Sequence, residues 1–271
     1  MGLNLNHWRS LRAGLLALLA GCTAAEPLPA GTAAFAVLGD IPYSEAEVKA
    51  LDRVIDAMNA QALEFVVHVG DIGASRPEQA CGDEWLRQRK AQFARIRHRF
   101  VLIPGDNEWS DCKEPLQRLD RWRELFCAVP GPYCEHQRWE AHGWIFVALN
   151  VPGSNNNLGH PEHAPRMQAV FAEIEAAARA AEQRRGLVIL MQANPFFYPR
   201  VRDGYAALKE RLRELGRRMP GRVMLIHGDT HVYRDDEPLP GLRRVETWGS
   251  PFVGWLEGSI QAEGLRLQNR P

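Results

Sequence analysis

One recurring feature limits what this chain can fold into: apolar runs of strand length that stop at Gly-Asp. "AAFAVLGD" (33–40), "LEFVVHVGD" (63–71), "RFVLIPGD" (99–106) and "RVMLIHGD" (222–229) all end this way. Two more runs, "GWIFVALN" (143–150) and "GLVILMQAN" (186–194), end in asparagine. Runs this continuously apolar suit strands buried on both faces. Helical periods lie between them. Ser44 and Glu47 form a capping-box signature ahead of Val48, Leu51, Ile55 and Met58 on one face. Residues 165–182 carry Met167, Val170, Phe171 and Ile174 at helical spacing, and 205–218 carry Leu208, Leu212 and Leu215. Helices are also predicted over 83–97 and 114–126. Alternating strand and helix indicates an α/β fold with a largely parallel sheet. After His231 the pattern changes, and 242–268 reads as a strand meander finishing a second sheet.

A single Gly-Asp is an ordinary turn. Four at strand ends carry more meaning, because loops beyond the carboxyl ends of α/β strands converge on the ligand site. Four carboxylates meeting there would repel and raise one another's pKa. A bound cation is the simplest remedy. Oxygen ligands suit Mg²⁺, Mn²⁺ or Ca²⁺, and the imidazoles of "LIHGDTH" (225–231) bring Zn²⁺ and Fe into range.

In this order, the motifs resemble those of the calcineurin-like metallophosphoesterases, from Asp40 to His231. The resemblance implies a four-layer α/β/β/α sandwich over residues 33–271 that hydrolyses a small phosphoester substrate, a phosphomonoester or phosphodiester, with one or two divalent metal ions. "GDIPY" supplies Asp40, with Pro42 where the family has histidine. "VGDIG" supplies Asp71 at the bridging carboxylate, the best match. "PGDNEW" places Asp106 at the metal-binding asparagine and Asn107 at the catalytic histidine, with Glu108 retained. "MQANPFF" has Ala193 at the family's histidine, leaving Gln192 or Asn194 to substitute. "HGDTH" puts Asp229 at the first histidine of the last motif and keeps His231. The implied metal ligands are Asp40, Asp71, Asp106, Asp229 and His231. This donor set is harder and more anionic than the family's, which favours Mn or Mg over Fe, Zn or Ca. Asn107 donates a hydrogen bond but transfers no proton at neutral pH. His227 is therefore the candidate acid, and a metal- or ligand-binding protein without turnover is the alternative.

Other polar groups are placed near the same mouth. Tyr43, Asn150, Ser154, Asn155 and Asn194 are the candidate substrate contacts, with a plain surface loop as the competing reading for 154–157. His160 and His163 read as solvated loop residues, and His68 as a satisfied core histidine. Trp109 reads as packing. No G-x-S-x-G elbow and no P-loop is present in the sequence.

The amino terminus reads differently. Arg9 and Arg12 precede "AGLLALLAG", which is too short to span a bilayer as a stable helix. Charge, apolar stretch and small residues together read as a secretory signal. "LAGC" resembles the lipobox of bacterial lipoproteins, which implies a signal peptide over 1–21, lipidation at Cys22 and a tether through residue 32. Thr23 after the cysteine implies the outer membrane. The expected location is the bacterial cell envelope, facing the periplasm, held to the membrane by that anchor. Export makes the four remaining cysteines disulfide candidates. Cys127 and Cys134 flank "AVPGPY", a turn that brings them together, leaving Cys81 with Cys112. The chain carries 33 basic and 33 acidic residues, so no nucleic-acid surface is expected.

Overall fold

The computed structural model describes residues 33–197 and 201–270. The signal, Cys22 and the tether lie outside the described residues, as do residues 198–200 and 271. The Gly-Asp runs form β1 (Ala33–Leu38), β2 (Leu63–His68), β3 (Arg99–Leu102) and, later in the chain, β7 (Val223–His227). The first three are parallel neighbours. They belong to a five-stranded sheet in the order β11-β10-β1-β2-β3, in which β10 (Trp255–Gln261) and β11 (Gly264–Arg270) add antiparallel strands beside β1. The second sheet has six strands, ordered β4-β5-β6-β7-β9-β8. Its centre, β5 (Trp144–Ala148), β6 (Gly186–Leu190), β7 and β9 (Leu242–Glu246), is parallel, and β4 (Gln137–Ala141) and β8 (Arg234–Leu239) are antiparallel edges.

Strand alternation sends side chains to two faces, and both faces are covered. Phe35, Val37, Phe65 and Val67 of the first sheet meet Phe146, Val188 and Met224 of the second, so the sheets stack face to face. The outer face of the first sheet, Ala34, Ala36, Leu38 and Val66, packs on Leu51 and Ile55 of α1 (Glu45–Asn59), Leu86 of α2 (Asp83–Phe93) and Trp122 of α3 (Pro115–Phe126). The outer face of the second sheet packs on Val170 and Ile174 of α5 (His163–Glu182), which follows the short turn α4 (Gly153–Asn156), and on Leu208 and Leu212 of α6 (Ala206–Arg218). This is the expected α/β/β/α sandwich. Each such Val, Leu, Ile or Phe contributes about 1.5–3 kcal/mol by leaving water.

Three details differ from the sequence reading. α2 ends at Phe93, short of residue 97. The meander divides: β9 joins the second sheet, while β10 and β11 join the first. The edge strands β4 and β8 had no apolar run to mark them. β8 carries Arg234, Asp235, Asp236 and Glu237, and charge of this kind protects an exposed sheet edge from pairing with another chain. The cysteines pair as anticipated, Cys81 with Cys112 and Cys127 with Cys134.

Candidate functional site

Because β1, β2 and β3 run parallel to one another in the first sheet, and β5, β6 and β7 in the second, their following loops gather at one edge. Asp40, Asp71 and Asp106 follow strands of the first sheet. Gln192, Asn194 and Asp229 follow strands of the second. Three hydrogen bonds cross between the sheets here. The Asp229 N–H donates to Asp40 Oδ1 (2.9 Å), Gln192 Nε2 to Asp71 Oδ2 (3.0 Å) and Ser154 Oγ to Asp106 Oδ2 (2.8 Å). The site is thus the polar seam that closes the top of the inter-sheet core.

The backbone is bent hard to make it. Asp40, Asp71, Asp229 and His231 all have positive φ (55°, 58°, 87° and 59°). Non-glycine residues rarely adopt this conformation, and where they do they cluster at functional sites. Glycines make the room. A Cβ on Gly228 would collide with Asp40 Oδ2, one on Gly105 with Asp71 Oδ1, and one on Gly153 would lie 2.7 Å from Asp106 Oδ1.

Asp40, Asp71 and Asp106 are buried, and burial raises the pKa of each, with neighbouring carboxylates adding to the effect. Asp106 is pushed up to about 6, first by burial and then by Asp111. Asp40 feels Asp229, Glu246 and Asp106, and Asp71 feels Asp106, Glu108 and Asp40. No Lys or Arg is among the largest causes of either shift. Asp40 Oδ2 and Asp106 Oδ1 are buried without a hydrogen-bond partner.

Asp71, by contrast, accepts three hydrogen bonds, at both of its oxygens. The Asn107 N–H donates to its Oδ1 (3.1 Å), and Tyr43 Oη (3.2 Å) and Gln192 Nε2 donate to its Oδ2. Asn107 Nδ2 in turn donates to Tyr43 Oη (2.8 Å). Tyr43 sits among carboxylates and its pKa is raised well above the usual value, chiefly by burial, so it remains a donor. Gln192 Oε1 accepts from the Gly153 N–H at 2.5 Å. Glu108 accepts the N–H groups of Asp71, Ile72 and Gly105, which locks the second and third loops together. The Cys81–Cys112 sulfurs lie 3.7 and 3.2 Å from the Asn107 carbonyl oxygen, under the same loop.

His231 completes the group. Its Nδ1 lies 2.8 Å from the Ser250 carbonyl, so Nδ1 carries the proton and Nε2 keeps its lone pair. Nε2 faces Asp40 Oδ1 at 3.9 Å. An imidazole fixed by a carbonyl behind it, with the other nitrogen bare, is the arrangement found in metal-ligating histidines.

The fit to a metal follows from these positions. Among the described residues, only Cys127, Cys134 and Glu135 bring three His, Cys, Asp or Glu ligand atoms within 4.8 Å of one another, and those sulfurs are joined in a disulfide. The Gly-Asp carboxylates do not close on one ion as a tetrahedral cage would. Asp40 and His231 nevertheless suit one. Two ligands on bonds of about 2.1 Å stand roughly 3 Å apart when adjacent and 4 Å when opposite. The donors therefore fit one open-shelled ion that keeps water or substrate oxygen in its remaining positions.

Comparison with known proteins agrees with the architecture. No family model and no curated protein matches the sequence. A dimetal phosphatase from Danio rerio superposes with a TM-score of 0.60 at 12% identity, covering 88% of this chain and 96% of that one. GAP50, described as the anchor in the inner membrane complex of Plasmodium, gives 0.58 at 13% identity, over 88% and 84%. A Staphylococcus aureus structure described as a 5′-nucleotidase gives 0.54 at 11% identity, over 88% of this chain and 53% of that one. The chain carries the metallophosphoesterase fold.

Within that fold, the sequence-derived site residues separate into two sets. Asp40, Asp71, Asp106, Asn107, Tyr43, Ser154, Asp229 and His231 are brought together at the seam. His227 is not. It is fully buried in β7 with Arg244, Arg234 and Asp236 as its charged neighbours, and burial lowers its pKa to about 3. A histidine that stays neutral there is no proton donor at neutral pH, so the acid role read for it is withdrawn. Asn150 is also fully buried, donating to Glu135 Oε1 (2.9 Å), and does not face a substrate. Asn155 ties the 202–204 loop, through Arg202 O and the Gly204 N–H. Asn194 supports Asp229 through its N–H (2.8 Å) and Glu246 through its side chain (3.1 Å). His68 bonds the Ile41 carbonyl (2.9 Å) from inside the core. Trp109 is packing, with Arg166 over its ring at 5.4 Å. Sequence reasoning missed Ser250 and Gly153. One is a glycine, and Ser250 meets Asp40 and His231 through its backbone, so no side-chain signal marked them.

Proposed function

We propose that this protein is a metal-dependent phosphoester hydrolase of the bacterial cell envelope, working with one divalent cation, Mn²⁺ ahead of Mg²⁺. The observation that carries the reading is His231, with Nδ1 fixed by Ser250 and a bare Nε2 turned toward Asp40. Asp40 and His231 would hold the ion, with Asp106 and Asp229 at the margin of its shell. An imidazole beside carboxylates suits Mn²⁺ better than Mg²⁺. When bound, such an ion supplies charge neutralisation at a phosphoryl group. The chain's own residues then orient the ester: Asn107 Nδ2 is the neutral donor at the mouth, through the hydrogen that Tyr43 does not take, and the exposed Ser154, whose hydroxyl proton goes to Asp106, holds that carboxylate in place. Tyr43 and Gln192 hold Asp71 and fix the Asn107 loop beside it. Asn107 stabilises the developing charge without moving a proton, so esters with good leaving groups are the favoured substrates. The amino-terminal signal and Cys22 support a lipid-anchored protein at the outer membrane facing the periplasm. No helix among the described residues is long and apolar enough to cross a membrane.

A second reading, binding without turnover, draws on Asp71. Three protein donors take three of the roughly four lone-pair positions on the carboxylate with which the family bridges two ions. The test is p-nitrophenyl phosphate and its bis-ester with added Mn²⁺. The proposal predicts metal-dependent release of nitrophenol that falls at least about 100-fold in His231→Ala, the size expected when an electrostatic stabiliser is lost. Retained metal with no turnover would favour the binding reading.

A further inference from the structure

We propose that the edge of the sandwich opposite the candidate site is a membrane-docking face, which binds anionic phospholipid headgroups in an arginine-lined cavity where the tether joins the domain. The inference rests on the lipid anchor read at Cys22 and names the surface that the domain turns to its membrane. Seven loops lie at this edge, where the parallel strands begin: 60–62, 94–98, 142–143, 183–185, 219–222, 240–241 and 262–263. They hold five arginines, Arg95, Arg97, Arg184, Arg185 and Arg222, and one acidic residue, Glu263. The other edge gathers the Gly-Asp carboxylates. The balance of 33 basic and 33 acidic residues therefore hides a separation of charge between the two edges. Arg95 and Arg184 are matched by Asp52, Asp56 and Glu140. Arg97, Arg185 and Arg222 have no carboxylate partner among the described residues.

The cavity has a volume of about 410 Å³, and its walls include Arg185, Arg222, Arg243, Trp144, Met224 and Glu263. Ligand pockets run from roughly 300 to 1,000 Å³. Arg243 is paired with Asp235. Arg185 and Arg222 are instead fixed by backbone carbonyls, Arg185 by those of Gln261 and Ala262, and Arg222 by those of Ala181 and Arg185. Arg185 Nε and Nη1 and Arg222 Nη1 make no hydrogen bond among the described residues, so both guanidinium groups keep open donors. Fixed guanidinium donors suit phosphate, and the buried Trp144 and Met224 beside them suit the glyceryl part of a lipid. The tether decides the occupant. Ala33 pairs with Ile260, the residue before Gln261, so the chain enters the domain beside this cavity. Cys22 lies eleven residues earlier, at most about 40 Å of chain. A lipid on Cys22 keeps this edge within reach of headgroups, and each arginine near an anionic surface tightens binding about fivefold. Docked in this way, the domain turns the Asp40–His231 seam away from the membrane.

The test is co-sedimentation of the full-length chain with vesicles of phosphatidylcholine alone and of phosphatidylcholine with an equal part of phosphatidylglycerol. The inference predicts a preference for the anionic vesicles that falls at least about tenfold in Arg185→Gln with Arg222→Gln. Residues 1–32 are common to every variant, so differences between variants read the folded domain alone. Arg185→Lys with Arg222→Lys keeps the charge and should keep the preference, which tells lost charge from lost folding. Arg179→Gln with Arg213→Gln removes the same charge from α5 and α6 and should leave the preference unchanged. An equal loss in that pair, or no effect of the Arg185 and Arg222 changes, would overturn the inference. So would release of the chain from anionic vesicles by excess glycerol phosphate, which would mark a site for a soluble phosphate. The mass of the exported chain reads the anchor separately. A lipidated chain without the arginine-dependent preference keeps the anchor and overturns the docking face. An unlipidated chain that retains the preference removes the anchor and supports the face.

Discussion

At the scale of single residues, the site is governed by where side chains are missing. Asp40 has one oxygen held by the Asp229 N–H and the other facing Gly228. Gly228→Ala places a methyl group against that second oxygen. Overpacking of this kind costs about 1–3 kcal/mol. The variant should unfold at correspondingly lower urea and should lose retained Mn²⁺, because Asp40 must turn away. Equal stability and equal metal content would mean that Asp40 Oδ2 does not point where described. His231 and His227 make the complementary point. They stand four apart, as the first and last residues of "HGDTH", each with Nδ1 at a backbone carbonyl. One faces the carboxylates and the other is sealed in β7. Sequence supplies the imidazole and not its direction.

At the scale of elements, the capping box ties a helix to the site. Ser44 Oγ accepts the Glu47 N–H at 3.3 Å, and Glu47 Oε1 accepts from Ser250 Oγ at 3.0 Å. The start of α1 therefore braces the loop that orients His231. Ser44→Ala should cost about 1 kcal/mol of stability, as lost caps do, measured by chemical denaturation. A change below about 0.3 kcal/mol would mean that the cap is not made. This helix was legible because caps are local. So were α5 and α6 and the buried strands, whose continuous apolar runs have no other stable use. The edge strands were not legible, since a strand paired on one side and wet on the other needs no apolar run. Nor was the division of the carboxyl-terminal meander between two sheets, because pairing partners are set by long-range packing. At the site, the carboxylates could be read from four repeated Gly-Asp pairs. The donors that hold Asp71 could not, since Tyr43 and Gln192 lie 149 positions apart and share no motif.

At the scale of the molecule, the clustered carboxylates should make stability depend on pH and metal together. Burial and mutual repulsion push Asp106 up to about 6 and Glu108 to about 7 in the folded chain, above their ordinary values. A carboxyl with a raised folded pKa binds its proton more tightly when folded. Its favourable contribution is therefore present at low pH and lost as pH rises through the folded pKa. Three buried histidines work the other way. Burial lowers His68 and His136 to about 4 and His227 to about 3, so stability falls as pH drops below about 6.5, where the unfolded histidines take up protons. The two trends oppose each other between about pH 4 and 7, so the metal-free protein should change little in stability there and level off above pH 7. Mn²⁺ should stabilise the chain more at pH 7.5 than at pH 5.5, because the ion must displace the protons that the buried carboxyls hold at lower pH. Melting curves from pH 5 to 8.5, with and without Mn²⁺, check this, and curves that superpose in both conditions would show that the cluster does not couple to metal.

The measurement that bears most directly on the central claim is the metal content of the purified chain after dialysis against Mn²⁺ and removal of free ion. The account predicts about one Mn²⁺ per chain, with none in Asp40→Asn or His231→Ala, and retention in Asn107→Ala. No retained metal in the unaltered chain, or full retention in His231→Ala, would contradict it.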